Sequence, residues 1–257
     1  MDGLEFIIFF VLVMLGFTLS GIIGFGANVL TLPILSLFFN VSDLVIVFAV
    51  ISFINATYRV VENRKGIIWK DFFKIMAVTV PGTILGLWVL KNFSEVWLKL
   101  ILGIFVVGVA AYNLTEKKKE KPVLQKNNVE LKIKSLFYNL ILFFGGMMQG
   151  AFVCGGPLYL IYCSHYYQKN RLQFRGMQFA VILMNSSIIF FSYLWRGVYR
   201  GYLITQSLIG LSALLAAIII SNICLKYITD NKLYRLVQIV LLISGITLIV
   251  QNSLGLL

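Results

Sequence analysis

The chain has 257 residues, of which 60% are hydrophobic and only 12% are charged, and its formal net charge is +12. Soluble domains usually carry about 25% charged residues, so this composition argues against a soluble globular protein and for a chain that crosses a membrane several times. The positive net charge does not indicate nucleic-acid binding, because the basic residues collect between the apolar runs, where they set the orientation of a membrane protein. We therefore expect the lipid bilayer as a partner and no nucleic acid.

Eight stretches contain no Asp, Glu, Lys or Arg, and they cover residues 6–42, 44–58, 75–90, 100–115, 135–168, 176–195, 201–225 and 236–257. A transmembrane helix needs about 20 apolar residues, so the first and fifth stretches, with 37 and 34 residues, are too long for one span. Each has the right length for two helices that meet at a break. The sequence predicts ten hydrophobic segments, six single spans and two broken pairs, and thus an all-α polytopic membrane protein.

The first long stretch is interrupted by GIIGFGANVLTLP, residues 21–33, and the fifth by GAFVCGGPLYLIY, residues 150–162. Glycine weakens a helix, and the backbone groups freed by a break are tolerated in a bilayer only where protein or a water-filled cavity receives them. After each break the pattern predicts a half-length helix, over Val29–Phe39 and over Leu158–Gln168.

Each half-length helix would begin near the bilayer midplane with free backbone N–H groups and the positive end of its dipole. Two such ends that arrive from opposite sides would suit an anion. The alternative is that the glycines only allow helices to pack closely, as small residues do in membranes. The candidate binding residues at the two breaks are Gly24, Gly26, Asn28, Gly155 and Gly156.

Buried amide side chains are the second group of candidates. Asn55 shares one helix face with Ser52 and Arg59, and Gln178 shares one with Asn185, by their spacing of three, four or seven residues. Amides can donate hydrogen bonds to an anion, or they can simply join neighbouring helices. The candidate binding residues in this group are Asn55, Gln149, Gln178 and Asn185, and we favour the pair Asn55 and Asn185 because the two occupy matching positions in the two halves.

A basic linker over residues 113–134 divides the chain into a first transmembrane repeat, 1–112, and a second, 135–257. With the N-terminus outside and ten alternating segments, 18 of the 22 Lys and Arg residues fall on the inner side, which is the bias expected of cytoplasmic loops. The sequence therefore predicts a multi-pass protein of the cell membrane with both termini outside and the basic linker in the cytoplasm.

Three short sequence patterns occur in the same order in the two halves. Residues 21–28 align with 150–157 at an offset of 129, 55–57 with 185–187 at 130, and 65–66 with 196–197 at 131. Because each half has five segments, the second half would be inverted relative to the first. Inverted repeats with interrupted helices at matching positions are typical of secondary transporters, which bind substrate between the repeats.

The sequence offers no constellation for catalysis. The ten acidic residues lie at or near segment ends, His165 is the only histidine, and the three cysteines have no metal-binding spacing. We expect no enzyme activity, no metal and no cofactor. An anion channel remains the alternative to a transporter, and an intramembrane enzyme is a weaker one. The sequence leaves open whether the chain forms a homo-oligomer.

The glycine patterns GxxGxGxxxxxxP and GxxxxGGPL, together with the segment Gly66-Ile-Ile-Trp-Lys-Asp71, resemble those of the TauE/SafE sulfite-exporter family. The resemblance implies a multi-pass inner or plasma membrane transporter, an exporter of sulfite or of organosulfur anions such as sulfonates. The chain departs from the family pattern in both motifs. Gly26-Ala27-Asn28 stands where three glycines are frequent, and Val153 stands where a glycine is usual, so the substrate stays open.

Overall fold

The structure, a computed structural model, describes residues 3–23, 26–115, 128–167, 170–224 and 231–254. These residues form ten α-helices and one short 3₁₀ turn, Arg64–Gly66, and contain no strand. The helices are α1 (Gly3–Ile23), α2 (Ala27–Leu35), α3 (Val41–Asn63), α4 (Trp69–Asn92), α5 (Glu95–Thr115), α6 (Asn128–Phe152), α7 (Gly156–Tyr167), α8 (Arg171–Trp195), α9 (Tyr202–Cys224) and α10 (Asn231–Leu254).

Five of these helices, α3, α4, α5, α8 and α9, are long and apolar enough to cross a membrane. Shorter apolar stretches lie in α1, α6 and α10. The helices follow the predicted segments one for one, with the two breaks after Ile23 and after Phe152. The prediction of an all-α polytopic membrane protein is confirmed.

The first break turns the chain back on itself. A side chain added at Gly16 of α1 would overlap with Thr31 of α2, and further along the ring of Phe9 meets the ring of Phe39 edge-on, with centroids 6.1 Å apart. Residues that are far apart in sequence thus lie side by side, so α2 runs antiparallel to α1. We call this pair the first hairpin and the described residues 26–28 its tip.

The second break also turns the chain back on itself. A Cβ on Gly145 of α6 would lie 2.8 Å from the ring of Tyr159 in α7, and the rings of Tyr138 and His165 stack with centroids 4.3 Å apart. We call α6 and α7 the second hairpin and residues 153–155 its tip. Both broken pairs are therefore hairpins rather than continuous spans.

The half-length helices differ from their predicted bounds. Helix α7 begins at Gly156, two residues before the predicted start, and α2 covers Ala27–Leu35 rather than Val29–Phe39. At the end of α2 the amides of Leu37 and Phe38 bond to carbonyls three residues back, at 3.3 and 3.0 Å. Such tighter bonds end an α-helix in a 3₁₀-like turn.

Glycines hold the two halves together at α4 and α6. Gly82 and Gly86 of α4 face the backbone of α6, and Gly146 and Gly150 of α6 face the backbone of α4. A Cβ at any of the four would overlap with a carbonyl oxygen of the other helix. This is the close approach that paired small residues four apart allow in membranes.

The most extensive helix packing joins the first five helices to the last five. It pairs α4 with α6, α5 with α10, α3 with α8, and α1 with α9. The predicted linker, 113–134, includes the end of α5 and the start of α6, and its residues 116–127 lie outside the described chain. The division into repeats at that linker stays a prediction.

We predict that Gly150→Ala destabilises the protein by about 1–3 kcal/mol, because the added methyl group must push α4 and α6 apart. The measurement is thermal unfolding of the detergent-purified protein.

Gly108→Ala on α5 is the matched control, since a Cβ there meets no atom within 4 Å. It should leave stability unchanged or raise it by up to about 1 kcal/mol. Equal effects of the two substitutions would contradict the close-packing assignment.

Candidate functional site

The tips of the two hairpins meet at a partly open cavity between the helices. Its volume is about 60 Å³, and since one water needs roughly 10–15 Å³ by this measure, it has room for a few waters or one small anion. Helices α1, α2, α3, α6, α7 and α8 all contribute to its wall. The predicted site residues that line it are Gly26, Asn28, Asn55, Gln149, Gly156 and Gln178.

The side chain of Asn28 joins the two tips. Its Nδ2 donates to the carbonyl oxygen of Val153 and to Oγ of Ser52, both at 2.6 Å. Val153 has a positive φ of 54°, which is rare for a residue branched at Cβ. Because Nδ2 has two acceptors, the orientation of the amide is defined, and Oδ1 of Asn28 is buried without a hydrogen-bond partner in the described chain.

The start of α2 presents free backbone donors. Gly26 is its N-cap with φ 88° and no side-chain cap, and the first intrahelical bond runs from the amide of Leu30 to the carbonyl of Gly26 at 3.0 Å. The amides of residues 27–29 therefore have no partner within the helix. The positive φ explains the glycine at position 26.

The start of α7 has fewer donors to offer. The amide of Gly155 donates to Oε1 of Gln149 at 2.9 Å, the amide of Cys154 donates to the carbonyl of Met148 at 3.3 Å, and Pro157 has no N–H group. Gly156 carries the one remaining amide at this end. The two tips, expected to be equivalent, are therefore unequal, and α2 contributes most of the backbone donors.

The glycines of the two motifs divide into two classes. Gly21, Gly150 and Gly155 pack closely, and a Cβ on them would press against Ser221, Thr83 and Gly145, respectively. At Gly26 and Gly156 an added Cβ meets no atom within 4 Å, and both residues line the cavity. Close packing thus accounts for the first class but not for the second. Gly24, also predicted as a site residue, lies outside the described residues.

The amide side chains predicted as binding residues differ in the hydrogen bonds that they make. Gln178 lines the cavity and is 1% exposed, yet neither Nε2 nor Oε1 has a hydrogen-bond partner among the described residues. Gln149 makes one hydrogen bond at each end of its amide. Its Nε2 donates to Oγ of Ser186 at 3.0 Å, and its Oε1 accepts from the amide of Gly155. Asn55 lines the cavity from α3.

Asn185 lies apart from the cavity. Its Oδ1 accepts from Oγ1 of Thr83 at 2.8 Å, and its Nδ2 donates to Oγ1 of Thr79 at 3.2 Å and to the carbonyl of Val181 at 2.8 Å. The two bonds to threonines join α8 to α4, the bond to Val181 stays within α8, and together they use both hydrogens of the amide. The structure thus separates the favoured pair, because Asn55 faces the cavity and Asn185 faces α4.

Several residues of the cavity wall were not predicted as binding residues from the sequence: Phe17, Ser20, Ser52, Cys154 and Phe179. Ser52 shares a face with Asn55, which could have identified it. No residue on the cavity wall is charged, and the described residues contain no group of three or more His, Cys, Asp or Glu that could hold a metal ion. The wall therefore offers amides, hydroxyls and backbone N–H groups.

Comparison with protein-family models matches residues 8–248 to the family described as sulfite exporter TauE/SafE. The match begins in α1 and ends in α10, so it includes both hairpins and every residue of the cavity wall. No curated protein and no solved structure matches the chain.

We predict that Asn185→Ala lowers the free energy of unfolding by about 1–3 kcal/mol without any ligand, because it leaves buried partners on α4 unsatisfied. Asn55→Ala should change it by less than about 0.5 kcal/mol. Thermal unfolding of both variants in detergent tests this difference. A larger loss for Asn55→Ala would show that the roles of the two asparagines are reversed.

Proposed function

The chain belongs to the sulfite exporter TauE/SafE family, a family of membrane transporters, and on that premise we propose that it is a secondary transporter that exports a small anion. The anion, sulfite or an organosulfur compound such as a sulfonate, binds in the cavity between the hairpin tips. Alternating access then carries it across the membrane. Catalysis is not part of this proposal.

The observation that carries the proposal is the unpaired amide of Gln178. A buried polar group without a partner costs about 1–3 kcal/mol, and such groups are rare enough in native proteins to need an explanation. A ligand that fills the cavity and bonds to this amide supplies one.

The donors of the cavity suit an anion. The free amides of residues 27–29 and the positive end of the α2 dipole favour negative charge, and the amides of Asn55 and Gln178 add side-chain donors. No carboxylate on the wall opposes an anion. The unpaired Oδ1 of Asn28 is an acceptor, so the ligand that satisfies this wall best carries one hydroxyl or amino donor beside its acceptor oxygens. Hydrogensulfite and aminoalkyl sulfonates have this combination.

The packing of the helices supports alternating access between inverted halves. With an offset of 129 residues, Gly16 corresponds to Gly145, and each of these glycines receives the returning helix of its own hairpin. The pair α1 and α9 likewise corresponds to α6 and α4. In transporters of this design one bundle of helices moves against another around the substrate, and α4 and α6, whose backbones are in contact, would then move together in one bundle. The bonds of Asn28 between the tips are then contacts that change during the cycle.

The orientation in the membrane belongs to the same proposal. The positive-inside bias of the basic residues places both termini outside and the linker 113–134 in the cytoplasm. The first hairpin then enters from outside and the second from the cytoplasm.

We predict that Gln178→Met raises the unfolding temperature of the ligand-free protein and abolishes its stabilisation by substrate. The apolar side chain removes the unpaired amide and with it a contact to the anion. The measurement is thermal shift against sulfite, sulfoacetate, taurine, thiosulfate, sulfate and acetate. A ligand that binds only the native state adds about 2.7 kcal/mol at a hundred times its dissociation constant.

Gln206→Met is the matched control. Gln206 is 1% exposed and its Nε2 lacks a partner in the described chain, but it does not line the cavity, so the ligand shift should persist. A response to a sulfur anion that survives Gln178→Met would remove the cavity from the proposal. No response to any of the six anions would overturn the substrate class, and single-molecule conductance far above carrier turnover would favour a channel.

A further inference from the structure

Two arginines lie one helical turn from the cavity, at the end of the bundle where α3 ends and α8 begins. Arg59 follows the cavity residue Asn55 by four positions, and Arg175 precedes the cavity residue Gln178 by three. Residues three or four apart share a helix face. Both arginines therefore continue the faces that line the cavity.

The guanidinium of Arg59 is held inside the bundle. Its side chain is 13% exposed and pairs with Glu62 at 3.5 Å, whereas the side chain of Glu62 is 50% exposed. One of its terminal nitrogens lies 3.4 Å from the Cβ position of Gly21, the residue after Ser20 of the cavity wall. The charge thus lies beside the end of α1, at the margin of the cavity.

Arg175 adds a second positive charge to the same place. It is partly buried and lies within electrostatic reach of Arg59, Glu62 and Arg171. Among the described residues that interact here, three guanidinium groups face one carboxylate, so positive charge is in excess. Like charges at close range repel each other, so this cluster favours the binding of an anion.

The opposite end of the cavity has no such pair. With the offset of 130 residues between α3 and α8, Arg59 corresponds to Ile189 and Arg175 to Val45. Ile189 is 0% exposed and Val45 is 0% exposed, and both belong to the hydrophobic core. The two halves therefore differ at these positions, and the arginine pair has no counterpart at the equivalent positions of the other half.

We propose that Arg59 and Arg175 form a second anion-binding site, a staging site that an oxyanion occupies before it enters the cavity. Glu62 competes with the anion for Arg59. This inference rests on the proposed transport of an anion through the cavity. Guanidinium groups suit the task because their planar donors match the oxygens of sulfur oxyanions, and their field raises the local concentration of the anion.

The test is the initial rate of sulfite flux in phosphatidylcholine vesicles, measured against sulfite concentration at several ionic strengths. Arg59→Gln and Arg175→Gln should each raise the apparent KM about three- to tenfold and weaken its dependence on salt, because screening acts on the charge that was removed. Glu62→Gln should lower the apparent KM. Arg59→Lys should keep most of the salt dependence.

Lys74→Gln is the matched control, since Lys74 also forms an ion pair with a carboxylate three residues away, Asp71, at 3.5 Å, but lies on α4 and outside the cavity wall. It removes one charge and should leave KM as in the wild type. Size-exclusion profiles verify folding, and if Arg59→Gln fails to fold, Arg175→Gln and Glu62→Gln decide the outcome.

Unchanged KM and salt dependence in those variants would overturn the staging site while the transporter stands. Effects that appear only after phosphatidylglycerol is added to the vesicles would also overturn it, because the arginines would then bind a lipid headgroup. A wild type that moves no sulfite and none of the other panel anions would overturn the proposed function, and the staging site with it.

Discussion

A helix that breaks inside a bilayer must give its freed backbone groups to protein or to an enclosed cavity, since lipid offers no hydrogen bonds. The architecture of this chain follows from that constraint. The backbone at the second tip is satisfied locally, by Gln149 and by the carbonyl of Met148, and Asn28 joins that tip to the first one. The start of α2 and the unpaired amide of Gln178 both face one small cavity. The backbone groups freed by the first break and the proposed binding site thus lie in the same place.

The framework around the tips is made rigid by close contact rather than by charge. Four glycines bring α4 and α6 to backbone distance, and Asn185 ties α8 to α4 through its hydrogen bonds with Thr83 and Thr79. Because these contacts do not depend on the cavity, its polar groups are free to be arranged for a ligand. Stability and binding are therefore assigned to different residues, although both sets are glycines and amides.

Much of this fold could be predicted from the sequence, because uncharged length and glycine interruptions depend on the bilayer alone. The roles of single residues could not. A spacing of seven places Asn185 on the same helix face as Gln178, but it does not tell that α4 lies against Asn185. In the same way a glycine motif does not distinguish Gly150, which touches a neighbouring backbone, from Gly156, which faces open space. Such distinctions depend on partners from distant segments. The bounds of α2 also differ, because its last turn tightens in a way that composition does not reveal.

Asn28 and Val153 are bonded to each other across the tips, because the amide of Asn28 donates to the backbone carbonyl of Val153. A valine at φ 54° costs of order 1–3 kcal/mol relative to a residue that tolerates this conformation. In this conformation the backbone carbonyl oxygen of Val153 points at the side-chain amide of Asn28. With glycine at positions 28 and 153, the backbone on both sides of this contact could adopt a wider range of φ and ψ angles. The two side chains thus act on one junction, since the amide of Asn28 supplies the donor and the branched side chain of Val153 narrows the backbone angles of the residue that supplies the acceptor.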